Sequence, residues 1–236
     1  CGYTKVTSAA KIAKVSAPKL AKTVYTYNGK VQKPSVTVKD STGKRLKAGA
    51  DYTVNYPKGR KAVGRYGVQV KLKGRYKGSR TVYFTVKPKG TSISKVTGGK
   101  KKITVTWKKQ TAQTTGYQIQ YSTSSNFKNA KTVTVSKNST TKKTITGLKN
   151  GKKYYVRVRT YKTVKTGRKS TKYYSSWSKS KTTGTAKKSA PKGNTVYVSP
   201  TGKKYHYIKS CAGKHPIKTT LKEAKKNHTP CKKCAM

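Results

Sequence analysis

The chain has 236 residues, and its 58 Lys and Arg residues against three acidic residues give a formal net charge of +55 at pH 7. The few carboxylates and histidines are too scattered to assemble a catalytic carboxylate pair or a Ser-His-Asp arrangement, and no Gly-rich phosphate loop occurs. The composition therefore predicts a protein that is not an enzyme and takes no small-molecule substrate. Because no apolar run approaches the roughly 20 residues of a membrane-spanning helix, we expect no transmembrane segment.

Residues 1–20 are rich in Ala, Ser and Lys with little periodicity, which predicts an N-terminal leader or linker that could end in a first strand. The chain begins with Cys1 and Gly2. A bacterial lipoprotein that has been processed starts with such a cysteine, which then carries a lipid anchor. An arbitrary boundary explains the same start, and both interpretations stay open.

Residues 21–89 contain four stretches in which Val, Tyr, Leu and Phe alternate with polar residues: 36–38, 52–56, 68–72 and 82–86. Turn sequences such as DSTG and PKG separate them, so the pattern predicts short strands of a small β-sandwich. The run with DYTV, VGRYGVQV and VYFTVKP resembles the Ig-like repeats of secreted surface proteins from Gram-positive bacteria. That resemblance implies an Ig-like sandwich without catalytic residues.

Residues 90–186 show the same alternation in ITVTW, GYQIQYS, VTV and YYVRV. In GLKNGKKYYVRVRT, Tyr154 follows a turn, where its hydroxyl can bond back to the upstream backbone as in the tyrosine corner of Greek-key sandwiches. With Trp107 on the second strand and SSWSKSKTT opening the last, the segment resembles a fibronectin type III domain. We expect Trp107, Tyr154 and Trp177 to pack in its core. The resemblance implies a spacer or binding module.

Residues 187–195 (KKSAPKGNT) have the composition of a linker, and residues 196–236 then form a third unit. VYV predicts a strand, SPTG a hairpin turn, and YHYI the returning strand. Thr220 and Glu223 match a capping box, in which each side chain satisfies a backbone donor at the start of a helix. We expect that short helix to run from Leu221 to about Asn227. The chain as a whole is thus predicted to be mainly β, with two tandem sandwiches followed by a small β-hairpin-plus-helix module.

The third unit also carries one histidine and three cysteines at metal-ligand spacing: His206, Cys211, Cys231 and Cys234. Two cysteines three positions apart can hold one side of a tetrahedral ion, and a second pair can close the other side. A module of about 40 residues buries too little apolar surface to fold alone, so a structural zinc ion would supply the missing stability. With four protein ligands the coordination is closed, which favours a structural ion over a catalytic one.

Two alternatives to this ligand set stay open. The thiols could form a disulfide instead, most simply Cys231–Cys234 or Cys211–Cys231, if the protein is exposed to an oxidising exterior. His215 or His228 could also replace His206 as the fourth ligand. His206 is preferred because it lies on the strand, five residues before Cys211.

The knuckle with the upstream His and Cys resembles the small metal-binding module of the Ada DNA-repair protein. It is more similar to a compact C-terminal tail of many bacterial secreted proteins, through VYVSPTGKKYH, LKEA and TPCKKC. These resemblances imply a zinc-stabilised hairpin and helix. The Ada pattern has four cysteines, one of which accepts the methyl group, and a histidine replaces one of them here. That difference argues against DNA-repair chemistry.

Two functional hypotheses follow. In the first, a secreted or surface-attached bacterial protein uses its charge to bind anionic polymers or surfaces, such as teichoic acids, acidic glycans or acidic lipid surfaces, while the sandwiches act as spacers or adhesion modules. This hypothesis predicts an extracellular location on the cell surface or in the cell wall. In the second, the protein binds nucleic acid and the zinc module reads it. Non-specific nucleic-acid affinity is expected in either case at low salt.

Overall fold

The structure, a computed structural model, describes residues 14–186 and 195–234. Within these ranges the chain is mainly β and forms three units, which match the expected order of two β domains and a small C-terminal module. No helix of the described residues combines the length and the apolar character needed to cross a membrane.

The first unit consists of a four-stranded sheet in the order β2-β6-β5-β4 and a two-stranded sheet of β1 and β3. Its strands are β1 Lys19–Leu20, β2 Val24–Thr26, β3 Val36–Thr37, β4 Tyr52–Asn55, β5 Gly64–Leu72 and β6 Ser79–Lys87. The alternation that predicted these strands is visible in β5, where Val68, Val70 and Leu72 are buried and the residues between them are exposed. Inward residues of period two thus build this core.

The first unit begins earlier than the sequence indicated. Lys19 and Leu20 pair with β3, and Val15 forms a bridge to Asp40. Residues 14–20, assigned above to a leader or linker, therefore contribute to the first unit, and their end forms the first strand that the sequence left open. Their few apolar side chains find partners that local periodicity does not reveal. Residues 1–13, with Cys1 and the predicted lipid anchor, lie outside the described residues.

The second unit is a sandwich of a three-stranded sheet, β11-β8-β7, and a five-stranded sheet, β10-β9-β12-β13, in which β14 also pairs with β12. Its strands are β7 Ile93–Gly99, β8 Lys102–Trp107, β9 Gly116–Ser122, β10 Lys131–Val135, β11 Lys142–Ile145, β12 Lys153–Thr166, β13 Lys169–Tyr174 and β14 Lys181–Gly184. Inward residues of both sheets form one continuous core that includes Ile103, Val105, Ile119 and Val158.

Two tyrosines tie loops to this core. The predicted tyrosine corner is present, because the hydroxyl of buried Tyr154 accepts a hydrogen bond from the backbone N–H of Lys149 at 3.2 Å. Tyr117 is fully buried, and its hydroxyl oxygen accepts from the N–H of Gln110 at 2.8 Å. The same hydroxyl lies 2.9 Å from the carbonyl oxygen of Asn138, to which it can donate. A single phenol therefore joins two loops of the sandwich.

One aromatic residue does not occupy the expected place. Trp107 is 2% exposed and lies in the core, as predicted. Trp177 is only partly buried and is not a core residue; it stacks with Arg157 and Arg159, which point away from the core on β12. The prediction of core packing was therefore wrong for Trp177, because aromatic character indicates burial but does not say on which face of a sheet.

The third unit is a four-stranded sheet in the order β17-β15-β16-β18 with a single helix. Its elements are β15 Thr195–Val198, β16 Lys204–His206, a 3-10 turn Lys209–Cys211, β17 Ile217–Thr220, α1 Leu221–Asn227 and β18 Thr229–Pro230. The predicted hairpin is β15 and β16, and the predicted helix has the expected bounds. Two further strands extend the hairpin, and most of the linker 187–195 lies outside the described residues.

The helix begins as the capping pattern indicates, but only half of the capping box forms. The hydroxyl of Thr220 accepts a hydrogen bond from the backbone N–H of Glu223 at 3.2 Å. The carboxylate of Glu223 pairs instead with Lys226, one turn along the helix, at 3.1 Å. The buried residues Val196, Val198, Tyr205 and Ala224 form the small core between helix and sheet.

Candidate metal centre and basic surface

Three of the four candidate ligands lie at the end of a short element of the third unit, and Cys234 lies in the turn that follows Cys231. His206 is the last residue of β16, Cys211 ends the 3-10 turn, and Cys231 directly follows β18. The backbone N–H of Cys231 donates to the carbonyl of Tyr205 at 3.0 Å, and the N–H of Cys234 donates to the carbonyl of Cys231 at 3.2 Å. The parallel pairing of β16 and β18 therefore fastens the Cys-x2-Cys turn beside the histidine.

The four ligand atoms have the spacing of a tetrahedral site. One ligand atom from each residue lies within 4.8 Å of all the others. The Sγ atoms of Cys211 and Cys231 are 4.0 Å apart, and Sγ of Cys234 is 3.7 Å from Nδ1 of His206. Zinc bonds of about 2.3 Å to sulfur and about 2.0 Å to nitrogen place tetrahedral ligand atoms about 3.5–3.8 Å apart. These residues are thus close enough to hold a metal ion, and their three sulfurs and one nitrogen suit zinc.

Burial and hydrogen bonding set the protonation states of this cluster. Burial, reinforced by the neighbouring thiols, raises the pKa of Cys211 to about 11. Burial alone would raise the pKa of Cys231 too, but hydrogen bonds from the backbone of Lys233 and from the other thiols lower it overall. Burial and the charge of Lys204 lower the pKa of His206, so its imidazole is neutral at pH 7. Neutral imidazole and thiolate are the forms that bind a metal, so metal binding would release the proton that Cys211 holds at pH 7.

The alternatives to this ligand set take different positions in the structure. Cys211, Cys231 and Cys234 are all free thiols, and the separation of 4.0 Å between the Sγ atoms of the first two is about twice a disulfide bond. Neither His215 nor His228 belongs to the group of four that the third unit brings together. The spacing within the sequence thus selected the residues that converge in space.

The acidic residues do not neutralise the basic surface. Asp40 and Asp51 accept backbone hydrogen bonds within turns of the first unit. Glu223 with Lys226 is the only salt bridge among the residues that the structure describes. Residues 90–186 contain no Asp or Glu at all. The positive charge of the second unit therefore has no carboxylate partner within that unit.

Comparison with known proteins identifies the second unit. The family model of the fibronectin type III domain matches residues 86–176. The two sheets and the tyrosine corner agree with this match, so the unit is a fibronectin type III sandwich, as its resemblance implied. No curated protein matches the chain.

Several solved structures resemble the chain weakly. A two-domain fibronectin type III segment of chicken tenascin is 19% identical; the match covers 72% of this chain and 99% of that one, with a TM-score of 0.41. The first three fibronectin domains of chicken CNTN1 are 20% identical, with 74% of this chain and 68% of that one covered and a TM-score of 0.37. A structure described as a myokine is 14% identical, with 42% and 96% covered and a TM-score of 0.33.

Proposed function

We propose that this protein is a non-enzymatic, extracellular bacterial protein that binds anionic polymers of the cell surface. Teichoic acids, acidic glycans and acidic lipid surfaces all present the repeated negative charge that it would take. The observation that carries the proposal is the formal net charge of +55. All three acidic side chains are engaged locally, because Asp40 and Asp51 accept backbone hydrogen bonds in turns and Glu223 pairs with Lys226. A surface with one sign of charge attracts polyanions strongly and repels other copies of itself.

The architecture supports a spacer role for the domains. Fibronectin type III domains are common extracellular adhesion and spacer modules, and this sandwich has a packed core and no Asp, Glu, His or Cys in residues 90–186. The first unit resembles Ig-like repeats of Gram-positive surface proteins, and the last resembles the tail of bacterial secreted proteins. In the third unit, His206, Cys211, Cys231 and Cys234 would hold a structural zinc ion that stabilises the module for presentation at the surface.

Nucleic-acid recognition by the third unit is the less favoured alternative. Specific base contacts come mainly from Arg, Asn and Gln on an element that fits a groove. Residues 195–234 contain no arginine, and the seven-residue helix carries lysines that suit phosphates better than bases. Charge alone gives DNA affinity at low salt, so such binding by itself does not favour this function.

The experiment is retention of the full chain on purified Gram-positive cell wall, with and without its teichoic acids, across a salt titration. We expect binding that persists at physiological salt, weakens steadily as salt rises, and falls when the teichoic acids are removed. Duplex DNA of several sequences serves as competitor. Stoichiometric displacement by DNA, with one sequence more effective than the others, would overturn the proposal in favour of nucleic-acid recognition.

A further inference from the structure

Aromatic rings and guanidinium groups alternate on the outer face of the second unit. The guanidinium carbon of Arg157 lies 4.0 Å from the ring centre of Phe127 and 4.9 Å from that of Trp177. The guanidinium carbon of Arg159 lies 4.2 Å from the ring centre of Trp177 and 4.0 Å from that of Tyr174. We call these five side chains the arginine stack.

Neutral side chains hold the guanidinium groups of the arginine stack in place. Oε1 of Gln120 accepts from Nε of Arg157 at 2.7 Å. Oε1 of Gln118 accepts from Nε and Nη2 of Arg159 at 3.0 and 2.7 Å. Both arginines remain partly exposed, and Nη1 of each makes no hydrogen bond to another described residue. Each planar fork is thus pre-oriented with donors left for a ligand.

The choice of arginine at these two positions is specific. Only eight of the 58 basic residues are arginine, and five of those eight lie over aromatic rings. Lysines that lie over rings do so at 5.0–5.6 Å, farther than either arginine lies from its nearest ring in the stack. A lysine would supply the same charge, so charge alone does not explain Arg157 and Arg159. A guanidinium both stacks on a ring and forms paired hydrogen bonds with an oxyanion.

The loop that completes the arginine stack is held in an unfavourable conformation. Phe127 has a φ of 60°, in the left-handed region that bulky residues rarely adopt. Asn129, two residues on, has a φ of 52°. Backbone strain of this kind persists where surrounding contacts fix it and concentrates at binding sites. This strained turn places the ring of Phe127 over Arg157.

We propose that the arginine stack binds oxyanion groups of an acidic glycan. The inference rests on the proposed function and adds the site and the ligand chemistry. No carboxylate of residues 90–186 can pair with the two guanidinium groups, so an anion that binds them comes from outside this unit. The outward residues beside them on β9 and β10 are amides and hydroxyls that can bond sugar hydroxyls: Gln118, Gln120, Thr132 and Thr134.

The test uses the full chain with dextran sulfate as probe, neutral dextran as ligand control and duplex DNA as rival ligand, at physiological salt. The variant R157K/R159K keeps the net charge but removes both planar forks. Its matched control is R80K/R168K, which makes the same exchange at two exposed arginines that contact no ring among the described residues. We expect the dissociation constant for dextran sulfate to rise about tenfold or more in R157K/R159K and less than twofold in the control.

Fluorescence provides a second measurement that does not depend on a variant. The chain has two tryptophans, and Trp107 is buried, so a collisional quencher reports mainly on Trp177. Dextran sulfate should protect Trp177 from quenching, whereas neutral dextran should not. If R157K/R159K fails to fold, protection of Trp177 in the unaltered chain decides the question.

The outcomes separate this inference from the proposed function. If the unaltered chain does not bind dextran sulfate at physiological salt, both the proposed polyanion binding and the proposed arginine-stack site are wrong. If the chain binds but R157K/R159K binds within twofold of it, or Trp177 stays unprotected, only the arginine stack is excluded as the site. If DNA protects Trp177 as well as dextran sulfate does, the assignment to an acidic glycan is wrong.

Discussion

Replacing Cys234 by serine should lower the zinc affinity of the third unit by about two to three orders of magnitude. Structural zinc sites bind with apparent free energies of about 10–16 kcal/mol near neutral pH. An even share among four ligands is about 2.5–4 kcal/mol, or about 10²–10³-fold in affinity. Cys234 is buried, and its Sγ lies 3.7 Å from Nδ1 of His206, so a serine hydroxyl there replaces a thiolate with a poorer ligand.

The assay is competition between the full chain and a chromogenic chelator in the presence of a thiol-free reductant. The unaltered chain should take up one zinc ion, and His206→Gln should weaken binding as Cys234→Ser does. His215→Gln is the matched control and should leave the affinity unchanged. Equal losses for His206→Gln and His215→Gln would contradict the assigned ligand set. A Cys211–Cys231 disulfide and no bound zinc in protein purified with zinc present throughout would refute a structural metal site.

Four further predictions concern stability. Tyr117→Phe should lower the free energy of unfolding of the second unit, measured by urea titration, by about 1–3 kcal/mol, because the half-buried N–H of Gln110 loses its acceptor. In the same urea titrations, Tyr155→Phe, at an outward position, should change this free energy by less than about 0.5 kcal/mol. The Thr42 hydroxyl, with backbone N–H groups of the turn, lowers the pKa of Asp40. An aspartate whose pKa is lower in the folded than in the unfolded state stabilises the fold at pH values above its unfolded-state pKa, and this stabilisation is lost as the pH falls through its folded-state pKa. The first unit should therefore become less stable below about pH 4. In calorimetry, Asp40→Asn should remove this dependence on pH. Residues 90–186 contain no Asp, Glu, His or Cys, so no side chain of the second unit titrates between about pH 3 and about pH 8. The unfolding midpoint of this unit, measured by the emission of Trp107 and Trp177, should therefore stay constant over that range. A midpoint that fell in acid would contradict this. Thr220→Ala should cost the third unit about 1 kcal/mol through its lost helix cap, and an unchanged unfolding midpoint would show that the cap contributes nothing.

The sequence predicted best those features that a short stretch of chain determines by itself. Alternation in β8, β9 and β12 indicated the buried residues of the second unit, and Thr220 marked the start of the helix. The candidate metal residues were found because ligand spacing constrains geometry within one small module. Such signals need no knowledge of distant partners.

Features that depend on distant partners were missed or misplaced. The two-residue strand β18 has no periodicity, and only its parallel pairing with β16 defines it. Trp177 was assigned to the core because aromatic residues are usually buried there. A signal for stacking on the outer face was available in the sequence. Arg157 and Arg159 alternate with buried valines in RVR, and Trp177 lies among serines further along the chain. The alternation of apolar and polar residues does not show which residues 18 or more positions apart will contact each other.

The larger sheet of the second unit ends in β10 on one side and in β13 and β14 on the other, and the outer edges of β10 and β13 have no further strand partner among the described residues. Exposed edges invite strand addition by other chains, and lysine side chains along an edge are one of the protections that proteins use. Lys169 and Lys172 line β13, and Lys131 opens β10. A polyanion that screens these lysines removes the protection. The same charge that keeps the chains apart in solution would then allow them to associate edge to edge once they are concentrated on a polymer.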